Sequence, residues 1–175
     1  MSQMTEPLLA EFREEAATTK RVLDRIPADK LTWKPHEKSM SLGQLAIHIA
    51  RIPGRMGYVI TQQDQFEVNP AGFLPTPPKD LQEVHDTFEQ SCKDAETYLM
   101  GMSDQTAKGG WTLFVRGQPA FTRPRIEVLR SIMLNHWYHH RGQLSVYLRL
   151  LEVSVPVIYG RSADEGPFTE AAAVD

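Results

Sequence analysis

The sequence predicts an all-α protein, a four-helix bundle. Three observations carry that prediction. Four segments of roughly 20 to 28 residues repeat apolar side chains at the helical period. Each of the four has one apolar stripe and a polar remainder, which is how helices share a single core. Prolines and glycines gather in the stretches between the segments. A length of 175 residues suits one domain that needs no disulfide or metal staple to build its core.

The first helix is expected from about Glu6 to Ile26, with Leu8, Leu9, Phe12, Ala16, Thr19, Val22, Leu23 and Ile26 facing inward and Pro27 ending it. The connection "PADKLTWKPHEKSM" leads to a second helix that starts near Ser39 or Ser41 as N-cap. Its stripe is Leu42, Leu45, Ile49, Ile52, Met56, Val59 and Ile60, and Pro53 inside it predicts a bend, not a break. After the Pro-rich "NPAGFLPTPPKD", Asp80 caps a third helix reaching about Met102, with Leu81, Val84, Phe88, Ala95, Tyr98 and Leu99 inside. The segment "DQTAKGGWTLFVRGQPAFTRPR" is too rich in Gly and aromatics for a helix interior and leaves room for a short β excursion from Trp111 to Val115. The fourth helix is expected to begin between Thr122 and Arg125, with Pro124 in its first turn, and to run to about Leu151. The remaining tail reads as irregular. A short first loop suits antiparallel neighbours, and the long second connection is compatible with parallel second and third helices.

Composition narrows the function classes. A net charge of -3 supplies no basic field for a phosphate backbone, so nucleic acid is not an expected partner. The single Cys92 excludes an internal disulfide and any CxxC arrangement, and its place in a helical pattern reads as a small packed hydrophobe. No apolar run approaches the roughly 18 residues of a membrane span, and the N-terminus lacks a signal-like apolar region, so a cytoplasmic setting is expected. No GxSxG elbow, P-loop or GxGxxG turn is present. Trp33, Trp111 and Trp137 read as core and loop anchors.

The histidines are the chemically distinctive feature. "NHWYHHRGQ" holds His136, His139 and His140. Residues four apart on a helix lie one above the other, about 5–6 Å between Cβ atoms, so His136 and His140 are spaced to share one ion. His139 at i+3 offers a second pair, and the helical wheel chooses between them. His140 falls within the arc of Ile126, Leu129, Met133, Trp137, Leu144, Tyr147 and Leu151, with His136 on its shoulder. His139 lies further round, beside Ile132, Gln143, Val146 and Leu150, a semi-apolar flank suited to another helix or another subunit. In the second helix, His48 sits on the shoulder of the stripe between Leu45 and Ile52 and is the best-placed third ligand. His36 lies in a polar loop and His85 on a polar stretch.

Three imidazoles without an evident fourth protein ligand leave coordination positions open, as a reactive site requires. Nitrogen donors suit Zn, Ni, Cu and Fe comparably, so the donor set does not name the metal. Trp137 follows His136, which excludes the HExxH base of that metalloprotease class. Two further readings stay open at this level: a metal-binding protein without catalysis, and core histidines that only hydrogen-bond one another.

"HWYHHRGQLSVYLRLLEVSVPVIYGRSADE" resembles the C-terminal signature of the DinB superfamily, an HxxxHRGQ helix followed by a Val-Pro stretch and a Tyr-Gly turn. "LTWKPHEKSMSLGQLAIHIA" is similar to its other marker, a Trp-x-Pro loop entering a helix with one histidine. The likeness spans about residues 5–165 of what reads as one domain. It implies an up-down-down-up four-helix bundle and a divalent metal, nickel or zinc, on His48, His136 and His140. It also implies a homodimer and a small-molecule substrate such as a low-molecular-weight thiol. Branches of the superfamily include thiol-S-transferases, a mycothiol-dependent isomerase and metal-dependent hydrolases. No substrate-binding residue of any branch maps onto this chain.

Overall fold

The computed structural model describes residues 2–68 and 74–166, so the first five residues of the Pro-rich connection and the last nine residues of the expected tail lie outside it. Helix α1 (Thr5–Leu23) leads through a 3₁₀ turn (Ala28–Lys30) to α2 (Leu42–Gln62) and strand β1 (Gln65–Val68). Helix α3 (Leu81–Gly101) and a short α4 (Asp104–Lys108) follow, then β2 (Gly110–Val115) and β3 (Gln118–Pro124). The last helical rod is α5 (Arg125–Val128), a π-helical stretch over Leu129–Asn135, and α6 (His136–Leu150). No helix among the described residues is long and apolar enough to cross a membrane.

The caps explain the helix starts. Ser41 accepts from the Gln44 N–H at 3.1 Å while Gln44 Oε1 accepts from the Ser41 N–H at 2.9 Å, a closed capping box. Asp80 accepts from the Glu83 N–H at 2.8 Å at the head of α3. Helix α1 ends at Leu23 instead of Ile26, and Ile26 is buried from the following turn. Helix α2 continues through Pro53 without interruption.

The all-α expectation is corrected by a three-stranded sheet of order β1-β2-β3. β1 pairs parallel with β2, and β2 pairs antiparallel with β3. The β2–β3 turn uses two residues of positive φ, Arg116 at 53° and Gly117 at 73°, matching the backbone twist a tight hairpin needs. The strand takes Thr122 through Pro124, so the last helix starts at Arg125 and Pro124 stands before its first turn. The expected β excursion at 111–115 was half of this hairpin; its partner strand alternates too weakly to announce itself.

Contacts between the helices give their pairwise directions. Arg13 meets Glu96 at 3.0 Å and Asp24 meets His85 at 3.7 Å, so α1 and α3 run antiparallel. Arg51–Glu83 at 3.7 Å and the Tyr58–Tyr98 rings at 5.8 Å advance together, making α2 and α3 parallel. Ile49 meets Trp137 while Ile60 meets Arg125, so α2 opposes the last rod. Tyr138 reaches Glu11 and Arg141 reaches Thr19, so α1 and α6 run the same way. The core between them contains Phe12, Leu45, Ile49, Leu99, Leu129 and Trp137, each under 2 % exposed.

Candidate metal centre

Each candidate ligand is placed by identifiable local structure. His48 lies on α2 seven residues after the Ser41 cap. The first-turn N–H groups of that helix are taken by the preceding loop: Leu42 donates to the Trp33 carbonyl at 2.8 Å and Gly43 to the Leu31 carbonyl at 2.9 Å. His136 opens the α-helical part of the last rod directly after the π-helical stretch, and His140 follows one turn later.

The three rings converge. Ring centroids are 5.3 Å apart for His48 and His136, and 4.5 Å apart both for His48 and His140 and for His136 and His140. One nitrogen from each ring lies within 4.8 Å of the others, and this is the one group of His, Cys, Asp or Glu among the described residues that can hold a metal ion. His136 Nε2 and His140 Nε2 are 2.7 Å apart, so the two rings aim these atoms at one point. Among the described residues no carboxylate joins them.

The far sides of the rings are also fixed. Gln143 Oε1 lies 2.7 Å from His140 Nδ1; as an acceptor it keeps the proton on Nδ1 and leaves the Nε2 lone pair facing the centre. The Ile132 carbonyl, inside the π-helical stretch, hydrogen-bonds the His136 ring. Burial is the largest cause pushing His48 and His140 down to about 4, with the neighbouring histidines adding to it, and burial also lowers His136. Neutral imidazoles at neutral pH are the form in which nitrogen ligates a metal. Donor type, convergence and protonation therefore fit a divalent ion on three nitrogens.

His48, His136 and His140 are thus brought together as the sequence pattern indicated, each half-buried. His139 is exposed and outside the group, its ring 4.9 Å from that of His140. His36 accepts from the Lys38 N–H at 3.2 Å in its loop. Gln143, assigned above only to a semi-apolar flank, was missed as a partner of His140, although its i+3 spacing was a usable signal. Arg141 was missed altogether. It is 1 % exposed, donates to Thr19 Oγ1 at 3.0 Å and pairs with Glu15 at 2.6 Å, with the Tyr138 and Tyr159 rings against its guanidinium.

Fold and site together define a mostly helical protein with a small sheet and a three-histidine group able to hold a metal ion. The chain belongs to the DinB family, whose family model matches residues 1–170. It is 24% identical over 166 residues to the "Uncharacterized protein YrdA" of Bacillus subtilis (strain 168), covering 94% of this chain and 93% of that protein. Among solved structures it resembles a DinB-like protein from Bacillus cereus ATCC 10987, with a TM-score of 0.66, 22% identity, and coverage of 86% of this chain and 95% of the other. A DinB-like protein from Bacillus subtilis, YjoA, gives a TM-score of 0.66 at 19% identity over 90% of this chain and all of the other. These likenesses concern the fold.

Proposed function

We propose that His48, His136 and His140 bind one divalent ion, nickel or zinc, and that the protein is a metal-dependent enzyme of thiol-transferase or hydrolase type acting on a small molecule. The observation that carries this is three convergent, neutral imidazoles with no fourth protein ligand beside them among the described residues. Such an ion lowers the pKa of a coordinated water or thiol. The chain's own part is to hold the ion at one point, to fix the His140 tautomer through Gln143, and to keep the ligands unprotonated by burial. We further read the helix directions as an up-down-down-up four-helix bundle in one domain. A cytoplasmic homodimer is part of the same proposal, and Val146 and Leu150, 57% and 56% exposed on the flank of His139, offer it an apolar surface.

The test is metal analysis of protein purified without a nickel column, followed by screening with small thiols and electrophiles. About one ion per chain is expected, with His140→Ala losing it and His48→Ala abolishing turnover. Full metal retention by His140→Ala refutes the site. A second reading, metal binding without catalysis, is favoured because the group holds no carboxylate among the described residues to serve as a base. Tight thiol binding without turnover would select it.

A further inference from the structure

Pro53 has no N–H, so the carbonyl of Ile49, four residues before it, lacks the donor that a helix normally supplies. That carbonyl is buried, where an unpaired acceptor is costly. Its partner comes from the other helix: Trp137 Nε1 donates to it at 3.0 Å. The indole is itself fully buried and held in place, stacked on Phe12 at 5.5 Å and tilted against Phe88 at 6.2 Å. Ile49 follows His48, and Trp137 follows His136. One directional bond therefore joins α2 and α6 at the residues next to a ligand on each side.

We propose that Trp137 is a positioning residue for the metal centre: its indole N–H, received by the carbonyl that Pro53 leaves free, sets the spacing and rotation of the His48 turn against the His136–His140 turn. This rests on the metal reading given above. The molecule supplies its own control. Trp111, 1 % exposed, donates to the Val59 carbonyl at 3.1 Å, another α2 carbonyl left without a helical donor, because it lies in the last turn. It is the same kind of bond, three turns from His48 and beside no ligand.

The experiment titrates cobalt(II) into metal-free protein, reading affinity and the ligand-field spectrum, with urea unfolding in parallel. Trp137→Phe and Trp111→Phe should both destabilise the fold. Trp137→Phe should also weaken cobalt binding about tenfold, the scale of losing an outer partner of a metal site, and alter the spectrum. Trp111→Phe should leave affinity within about twofold of wild type on the same scale. Adding Pro53→Ala gives Ile49 a donor from its own helix but restores no bond between α2 and α6, so Pro53→Ala/Trp137→Phe should regain stability in urea while cobalt affinity stays low. If Trp137→Phe does not fold, benzothienylalanine at position 137 keeps the shape and removes only the N–H. Equal cobalt affinity in the two tryptophan variants, or affinity recovered in the double variant without the interhelical bond, overturns the proposal. Failure of the wild type to bind cobalt, or retention by His140→Ala, instead overturns the metal reading, and the positioning role with it.

Discussion

Gln143→Leu isolates the outer support of the site from its ligands. Gln143 Oε1 lies 2.7 Å from His140 Nδ1, and the side chain is otherwise exposed. Removing it has two effects on the ion. The imidazole loses a hydrogen bond that orients it, a contribution of about 1 kcal/mol. It is also freed to carry its proton on Nε2, the atom aimed at the centre, and that tautomer must be reversed before the nitrogen can bind. Together these give a loss of about tenfold in zinc affinity, roughly 1.4 kcal/mol, at the lower end of what outer partners contribute. The assay is competition with a chromophoric chelator at neutral pH. Global stability of the metal-free protein should move by no more than about 0.5 kcal/mol, as for other exposed positions. Gln143→Glu keeps an acceptor and should hold or raise the affinity. If zinc affinity of Gln143→Leu stays within about twofold of wild type while His140→Ala loses the ion, Gln143 does not support the site and the tautomer argument fails.

Four further outcomes follow from the packing and the titrating groups. A Cβ on Gly54 would stand 3.0 Å from Ser91 Cα and 3.1 Å from its carbonyl oxygen, so Gly54→Ala should cost about 1–3 kcal/mol in urea unfolding. Gly142, within α6 and with nothing inside 4 Å of such an atom, should instead gain about 0.5–1 kcal/mol as Gly142→Ala. His48 and His140 titrate near 4 in the folded protein against 6.5 unfolded, so the unfolded chain takes up protons first. The metal-free protein should therefore lose thermal stability as pH falls from 6.5 toward 4, and substituting both histidines by Asn should flatten that fall. Burial pushes the Cys92 thiol up to about 12, so a disulfide reagent at mildly alkaline pH should label it only after unfolding.

What the sequence disclosed and what it withheld divide along physical lines. Helix starts were legible because Ser41 and Asp80 are caps whose chemistry is local. The inner faces of α1 and α3 were legible from period alone, down to Thr19 as a buried polar member of the stripe. The hairpin was not, because Gln118–Pro124 is held by pairing with β2 and by Arg125 at its root, not by a buried face of its own. Arg125 donates to the Ile60 carbonyl at 3.0 Å and the Gly110 carbonyl at 2.8 Å, bonds between segments far apart in the chain. Arg141 escaped for the same reason. A charged residue on a stripe reads as a gap, and only Glu15, Thr19 and the two tyrosine rings make its burial tolerable.

The π-helical stretch accounts for where the histidines finally stand. A wheel of uniform pitch through the last helix centres the stripe so that His140 lies within it. The buried positions run Leu129, Met133, Leu134, Trp137, Arg141, Leu144 and Leu148, with Leu129, Met133, Trp137 and Arg141 in steps of four across and beyond the π segment before the ordinary pitch resumes. Wider turns delay the stripe, so its centre after the segment falls on Arg141, and His136 and His140 move to its edge. That displacement suits the proposed chemistry better than the expected one. Histidines at the stripe's centre would be sealed among Trp137 and Leu144, satisfied by one another and closed to substrate. At the edge they remain buried enough to stay neutral and open enough to exchange an ion and admit a small ligand. The same stretch supplies the Ile132 carbonyl that holds the His136 ring. Local helical irregularity thus does for His136 what Gln143 does for His140, and the three-histidine group depends on a departure from regular helix that residue periodicity alone does not encode.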